Sequence, residues 1–130
     1  MHRFRAIILS AACALAVAFG GFGCSDTPTE PGEGGAQYAK SETAKESRSG
    51  VNLTLSFDSA QEAFTGELEN TTDATVSQVR VEIHLSNGVE LGPTPNIDLA
   101  AGETAPVELD ASGQTFTHYS AHIEIGSSGS

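Results

Sequence analysis

Cysteine is scarce: the 130 residues hold two, Cys13 inside an N-terminal apolar run and Cys24 at its end. Beyond Cys24 there is none, which excludes a disulfide within the remainder and leaves its fold to packing alone. Basic residues are also few, 6 against 17 acidic. Arg3 and Arg5 belong to the start of the chain, so only Lys40, Lys45, Arg48 and Arg80 accompany all 17 acidic residues after Cys24, a net charge of −13 with neutral histidines. Nucleic acid is thereby excluded as an expected partner, because binding it requires clustered Lys and Arg to neutralise phosphates. Direct adsorption to anionic lipid is disfavoured on the same ground. The acidity reads as a solvated, soluble surface. No Gly-x-Ser-x-Gly elbow and no EF-hand loop occur, and no enzyme and no cofactor are expected.

What is present begins with His2, Arg3 and Arg5, an apolar stretch from Ala6 to about Phe19, and the small residues Gly20, Gly21 and Gly23 before Cys24. A charged start, an apolar centre and small residues before a cut are the parts of an export signal. The segment resembles a bacterial lipoprotein signal, with Gly21 standing where the lipobox prefers leucine. That resemblance implies lipidation of Cys24, cleavage after residue 23 and a membrane partner reached through the lipid anchor. It also implies outer-membrane sorting within the cell envelope, because Ser25 rather than aspartate follows the cysteine. The competing reading is an uncleaved transmembrane helix over residues 6 to 23, which needs about 20 apolar residues. Its glycines and the lack of a basic cluster after it weaken that reading.

Cleavage would leave 107 residues, room for one small domain. Residues 24 to 50 are polar and rich in Gly and Pro, with Tyr38 the only large apolar side chain, and read as a flexible linker. As a free coil, such a segment has a root-mean-square span of roughly 28 Å and a full reach of roughly 85 Å. Ala36 to Arg48 has at most a marginal helical tendency, because it lacks an apolar stripe.

From Val51 the pattern switches to period two. Val51, Leu53, Leu55 and Phe57 share one face, as do Phe64, Gly66 and Leu68, then Val79, Val81, Ile83 and Leu85, then Tyr119, Ala121, Ile123 and Ile125. Asn87-Gly88 predicts a two-residue hairpin turn, and Gly92-Pro93-Thr94-Pro95 breaks the ladder after it. Short strands at spacings of roughly 8 to 12 residues predict an all-β fold, a single antiparallel immunoglobulin-like sandwich of six to seven strands over residues 51 to 126, with a flexible tail at 127 to 130.

Three segments carry a resemblance to the FxLYD-like bacterial domains: Phe64-Thr65-Gly66-Glu67-Leu68-Glu69-Asn70-Thr71, Val79-Arg80-Val81-Glu82-Ile83 and Leu99-Ala100-Ala101-Gly102-Glu103-Thr104. The resemblance implies an extracytoplasmic accessory module without catalysis and brings no site residues.

Glu67 and Glu69 share a strand face at roughly 7 Å, but alternating glutamates on a wet face are ordinary. The histidines are more informative. His118 and His122 would lie about 13 Å apart along a strand and cannot chelate one ion as a pair. His122 with Glu124, and His84 with Glu82, are outward-facing on two strands. If those strands are antiparallel neighbours, His84, His118, His122, Glu82 and Glu124 are the candidate metal ligands. Asn70 to Asp73 and Asn96 to Asp98 offer oxygen donors to calcium. Two function classes follow: a tethered, non-catalytic interaction module docking an envelope protein or polysaccharide through a strand edge or the Gly92 to Asn96 loop, and a metal-binding lipoprotein using the surface histidines.

Overall fold

The computed structural model describes residues 35–127. The segment read as a signal peptide, Cys24, the expected linker up to residue 34 and the expected tail from residue 128 lie outside the described residues. Nine strands and no helix make up the described chain: β1 (Tyr38–Ala39), β2 (Ala44–Arg48), β3 (Val51–Asp58), β4 (Ala63–Asn70), β5 (Val76–Leu85), β6 (Glu90–Leu91), β7 (Ile97–Leu99), β8 (Thr104–Asp110) and β9 (His118–Ile125). They form two antiparallel sheets, one ordered β1-β9-β5-β6 with β7 also on β5, the other β2-β3-β4-β8. The expected all-β sandwich is the fold.

Period-two alternation builds it. Val51, Leu53 and Leu55 from β3 and Phe64 and Leu68 from β4 turn inward to meet Val79, Val81, Ile83 and Leu85 of β5 and Tyr119, Ala121 and Ile123 of β9, all buried. Each such large apolar side chain contributes about 1.5 to 3 kcal/mol on burial. Phe57, Phe64, Phe116 and Tyr119 stack in one cluster, with ring centres 4.8 to 5.6 Å apart. The Lys40 ammonium lies over it, 4.7 Å from the Phe57 ring centre and 4.6 Å from that of Phe116.

The sheets start earlier than the alternation suggested, which corrects the expected boundary at residue 51. Ala44 to Arg48 pairs in full register with Leu55 back to Val51, and Tyr38 and Ala39 pair with Tyr119 and His118. The physical reason is that β2 is an edge strand: Ala44 alone is buried, and its other residues are solvated. The loop from β1 to β2 is fastened by the Tyr119 hydroxyl, which donates to the Glu42 carbonyl at 2.6 Å, and by the Tyr38 hydroxyl, which donates to Glu46 Oε1 at 2.8 Å.

The hairpin after β5 also differs from expectation. Leu85 N–H donates to the Val89 carbonyl and Gly88 N–H to the Leu85 carbonyl, closing a three-residue loop of Ser86, Asn87 and Gly88. Only Gly88, at φ +86°, takes the left-handed conformation, whereas a two-residue Asn-Gly turn needs it at both positions. The breaker segment after β6 stays on the sheet through Thr94, whose N–H donates to the Val81 carbonyl at 3.0 Å and whose hydroxyl accepts from Val81 N–H at 2.9 Å.

Candidate functional site

The outward face of the five-stranded sheet carries the site. β5 and β9 are antiparallel neighbours, the arrangement on which the histidine reading depended. Their outward rungs are Arg80 with Glu124, Glu82 with His122 and His84 with Ser120, and β6 adds Glu90 opposite His84. One ligand atom each from Glu82, His84 and Glu90 lie within 4.8 Å of one another. The His122 ring centre is 4.8 Å from that of His84, the planes 78° apart, and His122 Nε2 lies 3.1 Å from the buried Ser120 hydroxyl.

The electrostatics of this patch divide along the strand. Glu124 sits between two guanidiniums, Arg48 at 3.6 Å and Arg80 at 3.7 Å. Arg80 is itself buried and donates to the Gly126 carbonyl at 2.7 Å, and Arg48 donates to the Ile123 carbonyl at 2.9 Å. One rung further, no guanidinium or ammonium pairs with Glu82 or Glu90 among the described residues. Burial, and after it the neighbouring charges of Glu90 and Glu124, push the Glu82 carboxyl above the usual carboxylate range. Two carboxylates close together and turned toward an imidazole make a concentration of negative potential that a cation relieves.

Three of the five sequence candidates, Glu82, His84 and His122, therefore come together. His118 does not: it is exposed, two residues beyond Ser120 along β9, with Nδ1 2.9 Å from its neighbour Thr117 Oγ1. Glu124 is taken up by the two arginines. Glu90 was missed, and its signal was the hairpin: a two-residue loop would set Glu90 against Leu85, whereas the three-residue loop sets it against His84. The oxygen-rich loops are also engaged internally, Asn70 within its own turn and Asp98 Oδ1 accepting Gln78 N–H at 3.0 Å. Glu67 and Glu69 are exposed on β4. A second, open concavity of about 660 Å³ is lined by Lys40, Ser41, Phe57, Ser59, Phe116 and Thr117.

No protein family, curated protein or solved structure matches this chain. The functional reading is built on its own residues.

Proposed function

We propose that this chain is a lipid-anchored protein of the bacterial cell envelope whose sandwich binds its ligand without turning it over, and that the ligand of its outer face is a divalent transition-metal ion. The observation that carries the reading is the convergence of Glu82, His84 and Glu90 within 4.8 Å on adjacent rungs of β5 and β6. Ligand atoms around a four-coordinate zinc stand about 3.4 Å apart, given bonds of about 2.0 to 2.1 Å. Small rotations of flexible glutamate side chains close that difference. A mixed imidazole and carboxylate set suits zinc, copper, nickel or manganese, whereas calcium and magnesium favour oxygen ligands alone. The rigid strands hold the donors in register, and the charge balance after Cys24 favours a cation over an anion.

Isothermal titration of the full chain in mild detergent with zinc tests this. Saturable binding of one ion per chain, lost in Glu82→Gln with His84→Ala, is expected. Absence of saturable heat with the wild-type chain rejects the reading. The interaction-module reading keeps one supporting observation: the Phe57 and Phe116 concavity, with the Lys40 ammonium over its rings, offers an apolar surface beside a charge.

A further inference from the structure

Three donors leave a tetrahedral ion one position short. Glu82 and His84 come from β5 and Glu90 from β6 on one side, so the open side faces β9. There the two outward residues opposite the site are Ser120 and His122, and of these imidazole is the stronger ligand for a transition metal. His122 is directly opposite Glu82 and packs edge-on against His84, so rotation about its side-chain bonds brings a ring nitrogen toward the ion. That rotation takes Nε2 away from the Ser120 hydroxyl, now at 3.1 Å.

The ring has a second neighbour. A Cβ placed on Gly35 would stand 2.8 Å from His122 Cε1, closer than real Cβ contacts allow. Gly35 and the ring are thus neighbours, and a side chain at this position would require the imidazole to move. Both line one small concavity of about 190 Å³, with Arg48 and Glu124 on its other wall. Three residues later the chain enters β1 at Tyr38, paired with Tyr119. Among the described residues, Gly35 thus lies beside the imidazole, just ahead of β1.

Resting on the metal reading above, we propose that a bound transition-metal ion recruits His122 as its fourth ligand, and that the ring's movement shifts the chain at Gly35. A side chain that turns to a metal cannot keep its packing against the strap. Between Gly35 and Tyr38 the strap has no buried side chain, Ala36 and Gln37 being exposed, so its position follows the ring.

The test is a zinc titration of the full chain in mild detergent, followed by amide and imidazole NMR. The His84, His122 and Gly35 signals should move together and saturate at one equivalent. In His122→Gln, which keeps a hydrogen-bonding group beside Ser120, zinc affinity should fall at least about tenfold, in line with the cost of disturbing a metal's ligand set. The Gly35 amide should then no longer respond. If Glu82, His84 and Glu90 respond while His122 and Gly35 stay still, the recruitment is overturned and the three-donor site stands. If none of them responds, the metal reading itself fails. Unchanged affinity in His122→Gln also overturns the recruitment.

Discussion

Asn70 offers the sharpest prediction about what holds the fold together. It is fully buried at the end of β4. Its amide nitrogen donates to the carbonyls of Ala74 at 2.8 Å and Leu99 at 2.9 Å, with Ala100 at 3.1 Å sharing a donor. Its carbonyl accepts from Thr72 N–H at 2.9 Å and the Thr72 hydroxyl at 2.7 Å. One side chain thereby fastens the β4–β5 turn to the end of β7. In Asn70→Ala the Ala74 and Ala100 carbonyls, nearer the surface, can take up water, but the Leu99 carbonyl is left buried. An unsatisfied buried acceptor costs about 1 to 3 kcal/mol and each remaining lost bond about 0.5 to 1.5. The expected loss is about 3 kcal/mol, a large part of the roughly 5 to 15 kcal/mol of a typical domain. In urea, with a slope of about 1 to 1.5 kcal/mol/M, the midpoint should fall by about 2 to 3 M and the slope should stay unchanged. Asn70→Asp should be no better, since it turns a carboxylate toward three carbonyls. A midpoint shift below about 0.7 M in Asn70→Ala would refute the reasoning, because it would mean that these carbonyls are satisfied without the amide.

Gly66→Ala should destabilise by about 3 kcal/mol or more, because its Cβ would stand 2.0 Å from the Thr54 carbonyl oxygen and 2.8 Å from Leu55 Cα, backbone atoms that cannot swing away; an equally stable variant in urea denaturation would show that β3 and β4 do not approach so closely. Tyr38 and Tyr119, the chain's two tyrosines, have phenols raised first of all by burial, so absorbance near 295 nm should titrate above the usual value of about 10 in the folded protein and at that value in urea. The neutral phenol is favoured when folded, so stability is intact below pH of about 10 and declines as pH rises from there toward the folded values; a urea midpoint that holds constant or rises over that interval would contradict it. Cys24→Ala should move the protein from the membrane fraction to the soluble one with the sandwich still folded, and full retention in the membrane would remove the lipoprotein reading.

The core was legible because alternation is a direct imprint of burial: each inward residue expected of β3, β5 and β9 from Val51 to Ile123 lies in or against the core, Phe57 being partly buried. What escaped were the elements with little to bury. β2 presents Lys45, Glu46, Ser47 and Arg48 with Ala44 as its one buried side chain, a composition that protects a sheet edge and reads as linker. Half of the site was legible for the opposite reason, since polar residues at every second position of β5 and β9 must share the wet face once those strands pair. Which of them meet depends on register, and register turns on single residues. The loop after Leu85 holds three residues instead of two, and that one-residue slip moves Glu90 from the core side of β6 to the histidine side.

The pattern of charges on that face explains why its upper part invites a cation. After Cys24 the sequence supplies four lysines and arginines. Arg48 and Arg80 both converge on Glu124, Lys40 lies over the Phe57 and Phe116 rings, and Lys45 is exposed on β2 in the other sheet. None remains for Glu82 and Glu90 among the described residues, and the groups beside them are imidazoles. A half-buried carboxylate beside a second one is costly unless it protonates or gains a counter-charge. The rise in the Glu82 pKa is the first response. On the proposed metal reading, an ion held by the same imidazole and carboxylates is the second, since it supplies the counter-charge to both carboxylates at once.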